Sequence, residues 1–337
     1  MARETLSARL RGSGPAARRT TTPPPALVWL ALGAVYVIWG STYFAIRKAI
    51  LTLPPLLMAS ARFLVAGSLL FAWAIRRGDS QNDRPGWAEW RAAIIVGVLL
   101  LAVGNGGVVF AEQTVPIGIA ALTIATIPLW MSLIDRIFFG QRLALPAVAG
   151  LILGFGGLAL LVGGPGGGRL DPTGMVILLV AALGWSIGSM YSRRAKLPSS
   201  PLMGASMEML AGGIALAVAG AVRGEFAQIH PSRFSTESLL ALGYLIVFGS
   251  LVAFTAYIWL LRTVPISLVS TYAYVNPVVA VFLGWAFLGE QITPRTLVAG
   301  GVILVAVALI ISARKLPPGN PADCAPEALW VDWARRR

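Results

Sequence analysis

Arg62 and Glu208 each interrupt an apolar run of about 20 residues, the length that crosses the hydrocarbon core of a bilayer. A charge at the bilayer centre costs roughly 2.5 to 3.5 kcal/mol on insertion scales, so each side chain needs a partner or a task. The two stand 146 residues apart in the chain. Counting from the starts of their helices at about 1.5 Å per residue places each roughly 10 Å below opposite faces. Side chains of that length reach one another near the midplane, which predicts an Arg62–Glu208 pair. Such a pair is either a static brace, as buried ion pairs often are, or part of a proton-coupled site.

A second group gathers around Pro128 and Pro277, 149 residues apart. Each proline removes a backbone hydrogen bond and predicts a helix kink. The freed carbonyls are tolerated at membrane depth only against protein or a watery cavity. Thr123 and Thr126 precede the first proline, and Ser270, Thr271, Tyr272, Tyr274 and Asn276 precede the second. Their polar groups either bond back to their own helices or to a neighbour, or line that cavity. Aromatic rings with polar handles form a third group: Trp39 and Tyr43, their counterparts Trp185 and Tyr191, and Tyr257 with Trp259. Trp39 and Trp185 lie deeper than interfacial anchors, with Ser189 one turn beyond Trp185. Asn105, inside "VGNGG", carries an amide whose partners a solute can supply. The expected cavity wall is therefore Trp39, Tyr43, Asn105, Thr123, Thr126, Trp185, Ser189, Tyr257, Tyr272 and Asn276.

Other signals lead nowhere. "GFGGLA" fits a dinucleotide-binding pattern but sits inside an apolar run with no strand before it. Gly150 and Gly154, four residues apart, read instead as close helix packing. "GGPGGGR" lacks the Lys-Ser/Thr of a phosphate loop, so no ATP-driven engine is visible. His230, the only histidine, and Cys324, the only cysteine, build neither a metal site nor a disulfide. No metal and no cofactor are expected.

The elements that hold these residues follow from composition. Of 337 residues 57% are hydrophobic and 12% charged, and the mean hydropathy is +0.76. Soluble domains average about 25% charged residues, so this surface faces lipid. The net charge of +13 then belongs to loops that orient helices, not to a nucleic-acid interface. Ten apolar runs are separated by short connections rich in Pro, Gly or charge; they are too long and too uniform for barrel strands. With the N-terminus inside, 20 of the 27 Lys and Arg fall on the cytoplasmic side and six outside, Arg62 being in a span. That asymmetry puts both termini in the cytoplasm. The tails 1–25 and 314–337 read as disordered.

The chain also repeats itself. At an offset of 146, "WGSTYFAIRKAI" from Trp39 falls on "WSIGSMYSRRAK" from Trp185, Gly67 on Gly213 and Arg77-Gly78 on Arg223-Gly224. At an offset of 149, "TVPI" from Thr114 falls on "TVPI" from Thr263, Pro128 on Pro277 and Gly140 on Gly289. Each half, 26–163 and 172–313, holds five runs, so the second copy enters the membrane from the opposite face. Inverted repeats of this kind are typical of secondary transporters.

"IWGSTYFAIR", "PPLLMASARFLVAG" and "STYAYVNPVVAVFLGWAFLGE" resemble the EamA-type permeases of the drug/metabolite transporter superfamily, from about Ala26 to Ala313. The resemblance implies an all-α integral membrane fold of ten helices in two EamA repeats. It also implies residence in a bacterial inner membrane and export of small metabolites, amino acids or drugs. One departure is visible: Gly289-Glu290 in the second repeat faces Gly140-Gln141 in the first. The expectation is a multi-pass secondary active transporter, an exporter working by alternating access, and not an enzyme. Its partners are a small solute and the bilayer, with no nucleic acid, as a monomer or homodimer. A passive pore and a lipid-modifying membrane enzyme are the alternatives; the enzyme lacks an acid/base cluster to run on.

Overall fold

The computed structural model describes residues 24–77, 85–140, 144–163 and 170–313. The two tails lie outside these residues except for Pro24 and Pro25, as do Gln141 and Cys324. Among the described residues every element is helical. In chain order they are α1 (Pro25–Ala49), α2 (Pro55–Arg76), α3 (Trp87–Ala111), α4 (Ile117–Phe138), α5 (Leu145–Gly163), α6 (Pro172–Ser192), α7 (Pro201–Val222) and α8 (Thr236–Thr263). The short turn Ile266–Val269 leads into α9 (Tyr272–Leu288), and α10 (Pro294–Ala313) closes the series. Eight of these helices are long and apolar enough to cross a membrane, and α5 and α9 hold shorter apolar segments.

The ends are written locally. α1, α2, α6, α7 and α10 all begin with proline, whose fixed φ suits the first helical turn and whose missing N–H is not needed there. α4 and α9 end at Gly140 and Gly289, with φ of 63° and 68°. Each of these glycines donates its N–H to the carbonyl five residues back, of Asp135 and Gly284. Only glycine adopts this left-handed turn without cost, and the two positions are repeat counterparts. At 22 residues α2 and α7 each span about 33 Å, enough for a hydrocarbon core of about 30 Å. Large apolar side chains point outward along the bundle, Val222 being 84% and Leu145 81% exposed. A surface of that kind is made for lipid.

Two helix pairs lock the bundle. α2 and α7 run antiparallel: a Cβ on Gly67 would stand 2.9 Å from Met209 and 3.1 Å from the Ser206 carbonyl. A Cβ on Gly213 would stand 2.9 Å from Leu64, and Ser60 donates its hydroxyl to the Gly213 carbonyl at 2.9 Å. α5 rests on α10 in the same way, Gly150 facing the Ala306 carbonyl and Gly154 facing Ala306. α1 threads the middle, packed against α4, α8 and α9.

α3 and α8 each contain a π-helical stretch, Val98–Asn105 and Leu245–Phe254. Shifted by 149 residues, the first falls wholly within the second. π turns are wider than α turns and are frequent at functional sites. The prolines act differently from one another. Pro128 sits in the first turn of Ile127–Phe139, just after a break at Ala125-Thr126, whereas Pro277 lies inside α9.

Candidate functional site

The π stretches, with α1, α2, α4, α6 and α9, enclose a central cavity of about 60 Å³. That is room for a few water molecules. Trp39, Tyr43, Asn105, Trp185, Tyr272 and Asn276, all expected from the sequence, line it, and Arg62 joins them from α2. α3 contributes Leu101, Gly104 and Asn105 from its π stretch, and α8 contributes Gly249 and Phe254 from its own. The helix ends are therefore not what shapes the site; the widened middles of α3 and α8 are.

One wall is aromatic. Trp39 meets Trp185 edge-on at 5.4 Å between ring centroids, Tyr257 at 4.8 Å and Tyr272 at 5.6 Å. Tyr257 completes the group, 5.7 Å from Trp185 and 5.9 Å from Tyr272. The Trp39–Trp185, Trp39–Tyr272 and Tyr257–Tyr272 pairs are edge-to-face and the two tryptophan contacts of Tyr257 are tilted; aromatic pairs add about 0.5–1.5 kcal/mol beyond the area they bury. The polar tips are also satisfied, except for the buried Tyr272 hydroxyl, which has no hydrogen-bond partner among the described residues. Trp39 Nε1 donates to the Gly249 carbonyl at 3.3 Å, and Trp185 Nε1 donates to the Tyr257 hydroxyl at 3.1 Å. Tyr257 in turn shares a 2.7 Å hydrogen bond with Ser189. Tyr257 and Ser189 thus stand behind the wall and hold it.

The remaining candidates have structural partners. Thr123 bonds back to the Ile119 carbonyl at 2.9 Å and Thr126 to the Thr123 carbonyl at 2.6 Å, while Thr126 also accepts from Trp130. Neither threonine reaches the cavity. With its amide oriented so that nitrogen faces the neighbouring acceptors, Asn276 donates to the carbonyls of Tyr36 at 3.0 Å and Tyr272 at 3.3 Å. It therefore ties α9 to α1 as well as lining the cavity.

Arg62 and Glu208 are not brought together. The glycine register of the α2–α7 crossing sets Arg62 opposite Gly213, and Glu208 lies five residues away, about 7.5 Å along the helix. Arg62 instead donates its Nε to Ser250 at 2.8 Å and lies 4.7 Å above the Phe63 ring. Its electrostatic partner is Glu112, while that of Glu208 is Arg262. Neither Glu208 oxygen has a hydrogen-bond partner among the described residues. Each repeat thus couples a charge on its second long helix to the opposite charge at the end of its third, and the signs are exchanged between repeats.

Glu112 carries almost no signal in the sequence, because it falls just past the apolar run of α3. It is fully buried between α3 and α4, and the Arg47 guanidinium donates to its main-chain carbonyl. The only advance sign was its place two residues before the repeated "TVPI". Glu290 was noticed only for its "GE". Its two oxygens accept the N–H groups of Ile117 at 2.7 Å and Gly118 at 3.2 Å, capping α4 from the far end of α9. At the same end of the bundle Glu225 accepts from the Leu57 N–H at 3.0 Å, capping α2, and Lys48 pairs with Glu237 at 2.9 Å. The Thr114 hydroxyl donates to Asp171 at 2.7 Å; this bond, with the N–H groups of Thr173 and Gly174, holds the Asp171 carboxyl below the usual carboxylate range.

Comparison with known proteins adds a lineage. The profile of the EamA-like transporter family matches residues 25–163 and again residues 172–312. A protein of Escherichia coli K12 named an uncharacterized inner membrane transporter, YedA, is 43% identical over 294 residues, covering 86% of this chain and 92% of its own. A chloroplastic WAT1-related protein of Arabidopsis thaliana is 26% identical over 306 residues, covering 87% of this chain and 70% of its own. A crystal structure 21% identical in sequence superposes with a TM-score of 0.61, covering 87% of this chain and 99% of its own, a likeness of fold.

Proposed function

Since the chain belongs to the EamA-like transporter family, we propose that it is a secondary active transporter, an exporter of a small organic solute across a bacterial inner membrane. It works by alternating access between two five-helix repeats, 26–163 and 172–313, and is not an enzyme. The name of its Escherichia coli relative favours that membrane, and the excess of basic residues on one side favours cytoplasmic termini.

The observation that carries this reading is the α2–α7 crossing. Gly67 meets Ser206 and Met209 of α7, and Gly213 meets Ser60 and Leu64 of α2. Shifted by 146 residues, Ser60 becomes Ser206 and Leu64 becomes Leu210, a further neighbour of Gly67. Antiparallel helices making mutually equivalent contacts surround a two-fold axis perpendicular to both. For membrane-spanning helices that axis lies in the plane of the bilayer, the relation of inverted repeats, and the solute site belongs at the repeat interface. Residues of both halves line the cavity, which supports that placement, and in this reading the two halves rock about it to open it to either side. Glu208, buried and coupled to Arg262, is the group we assign to proton coupling.

The test is a solute screen on the full chain in proteoliposomes at imposed pH gradients. Saturable, competable flux driven by the gradient is the expected outcome, with Glu208→Gln abolishing the response to the gradient. Flux that rises linearly with concentration and shows no counter-transport would replace the transporter by a passive pore.

A further inference from the structure

Arg62 is 2% exposed, at the wall of the cavity. Its Nε is spent on Ser250, but its Nη1 is buried with no hydrogen-bond partner, and among the described residues no carboxylate comes within 4.0 Å of the guanidinium. Glu112 acts on it only from beyond that distance. An ionised group withdrawn from water and left this incompletely matched is costly, and the cost is recovered when a ligand supplies the missing acceptor. The fold makes room for the head group: a Cβ on Gly249 would stand 2.7 Å from Nη2. The guanidinium fork matches a carboxylate with two parallel hydrogen bonds.

The rest of the lining describes the rest of the ligand. Trp39, Trp185, Phe63 and Phe254 offer an apolar, aromatic surface, and Asn105 offers an unpartnered, buried Oδ1 as an acceptor. Resting on the transport reading above, we propose that the solute is an organic monocarboxylate with an apolar body. The cavity of this conformation holds only a few waters, so the solute enters as the halves move apart: Arg62 takes the carboxylate, the aromatic wall takes the body, and Asn105 Oδ1 accepts from any N–H or O–H the solute carries.

The test uses two phenyl probes of similar size and opposite charge, phenylacetate and phenethylamine, on the purified full-length protein in detergent. Binding is read from tryptophan fluorescence, since Trp39 and Trp185 lie in the wall, and independently from the shift in melting temperature. Wild type should bind phenylacetate saturably and ignore phenethylamine. Arg62→Gln should weaken phenylacetate by about tenfold or more, and Arg62→Lys, which keeps the charge but loses the fork, should fall between.

The proposal is overturned if wild type binds the amine as well as the acid or fails to bind the acid. It is equally overturned if Arg62→Gln binds phenylacetate undiminished, which would leave Arg62 as a brace toward Glu112. Should Arg62→Gln not fold, the discrimination between probes by wild type still decides. Saturable binding without saturable uptake would remove the transport reading and keep this site. Saturable uptake of a cationic solute, indifferent to Arg62, would do the reverse.

Discussion

A side chain on Gly249 has nowhere to go: its Cβ would lie 2.7 Å from Arg62 Nη2 and 3.2 Å from Thr42 Cγ2. Gly249→Val should therefore displace Arg62, cost about 1–3 kcal/mol of overpacking and abolish solute uptake in proteoliposomes. Gly33→Val, on α1 where nothing stands within 4 Å, is the control and should transport as wild type does. At this scale the sequence was legible where a residue type was out of place in its surroundings. Arg62, Asn105 and the two deep tryptophans stood out against apolar neighbours. Partnerships were not legible. Arg62 and Glu208 occupy matching positions, yet which groups face them depends on how far one helix slides along another, and that is decided by glycines at the crossing. Glu112 hid for a related reason: hydropathy marks where an apolar run stops, not whether the next residues turn back into the protein.

Glu290 works between elements, since it caps α4 with a side chain that follows α9. Glu290→Ala leaves two N–H groups at the start of α4 without partners, a loss of about 1 kcal/mol or more for a helix cap. Melting temperature in detergent should fall, and Glu290→Gln, which keeps one acceptor oxygen, should fall by less. Equal losses for the two substitutions would mean that the charge, not the hydrogen bonds, holds α4. The helices themselves were readable because a bilayer demands long apolar runs and because prolines and glycines punctuate them. The π stretches were not. Each stretch holds a single polar side chain, Asn105 or Ser250, too few to trace a polar face and reveal the period, so the widening that builds the cavity left no mark in α3 or α8.

For the whole molecule the sharpest expectation concerns sidedness. In a Cys324→Ser background, a cysteine at Gln228, in the α7–α8 connection, should react in intact cells with a membrane-impermeant maleimide. A cysteine at Lys196, in the α6–α7 connection, should react only after permeabilisation. Reversed labelling would turn the proposed orientation over. The doubling of the chain was legible because a tetrapeptide and several glycines survive in register, while the proposed axis between the halves rests on the contacts of α2 with α7. Those contacts bear on where charge can stand. Each glycine there meets the stretch that its twin's partner would predict, as happens when two copies of one molecule dock across a dyad. A homodimer of separate half-length proteins has no choice but to place the same charge at both copies of such a position. Two repeats carried on one chain are free of that constraint, and these two differ: arginine stands at position 62 in the first and glutamate at the matching position 208 in the second.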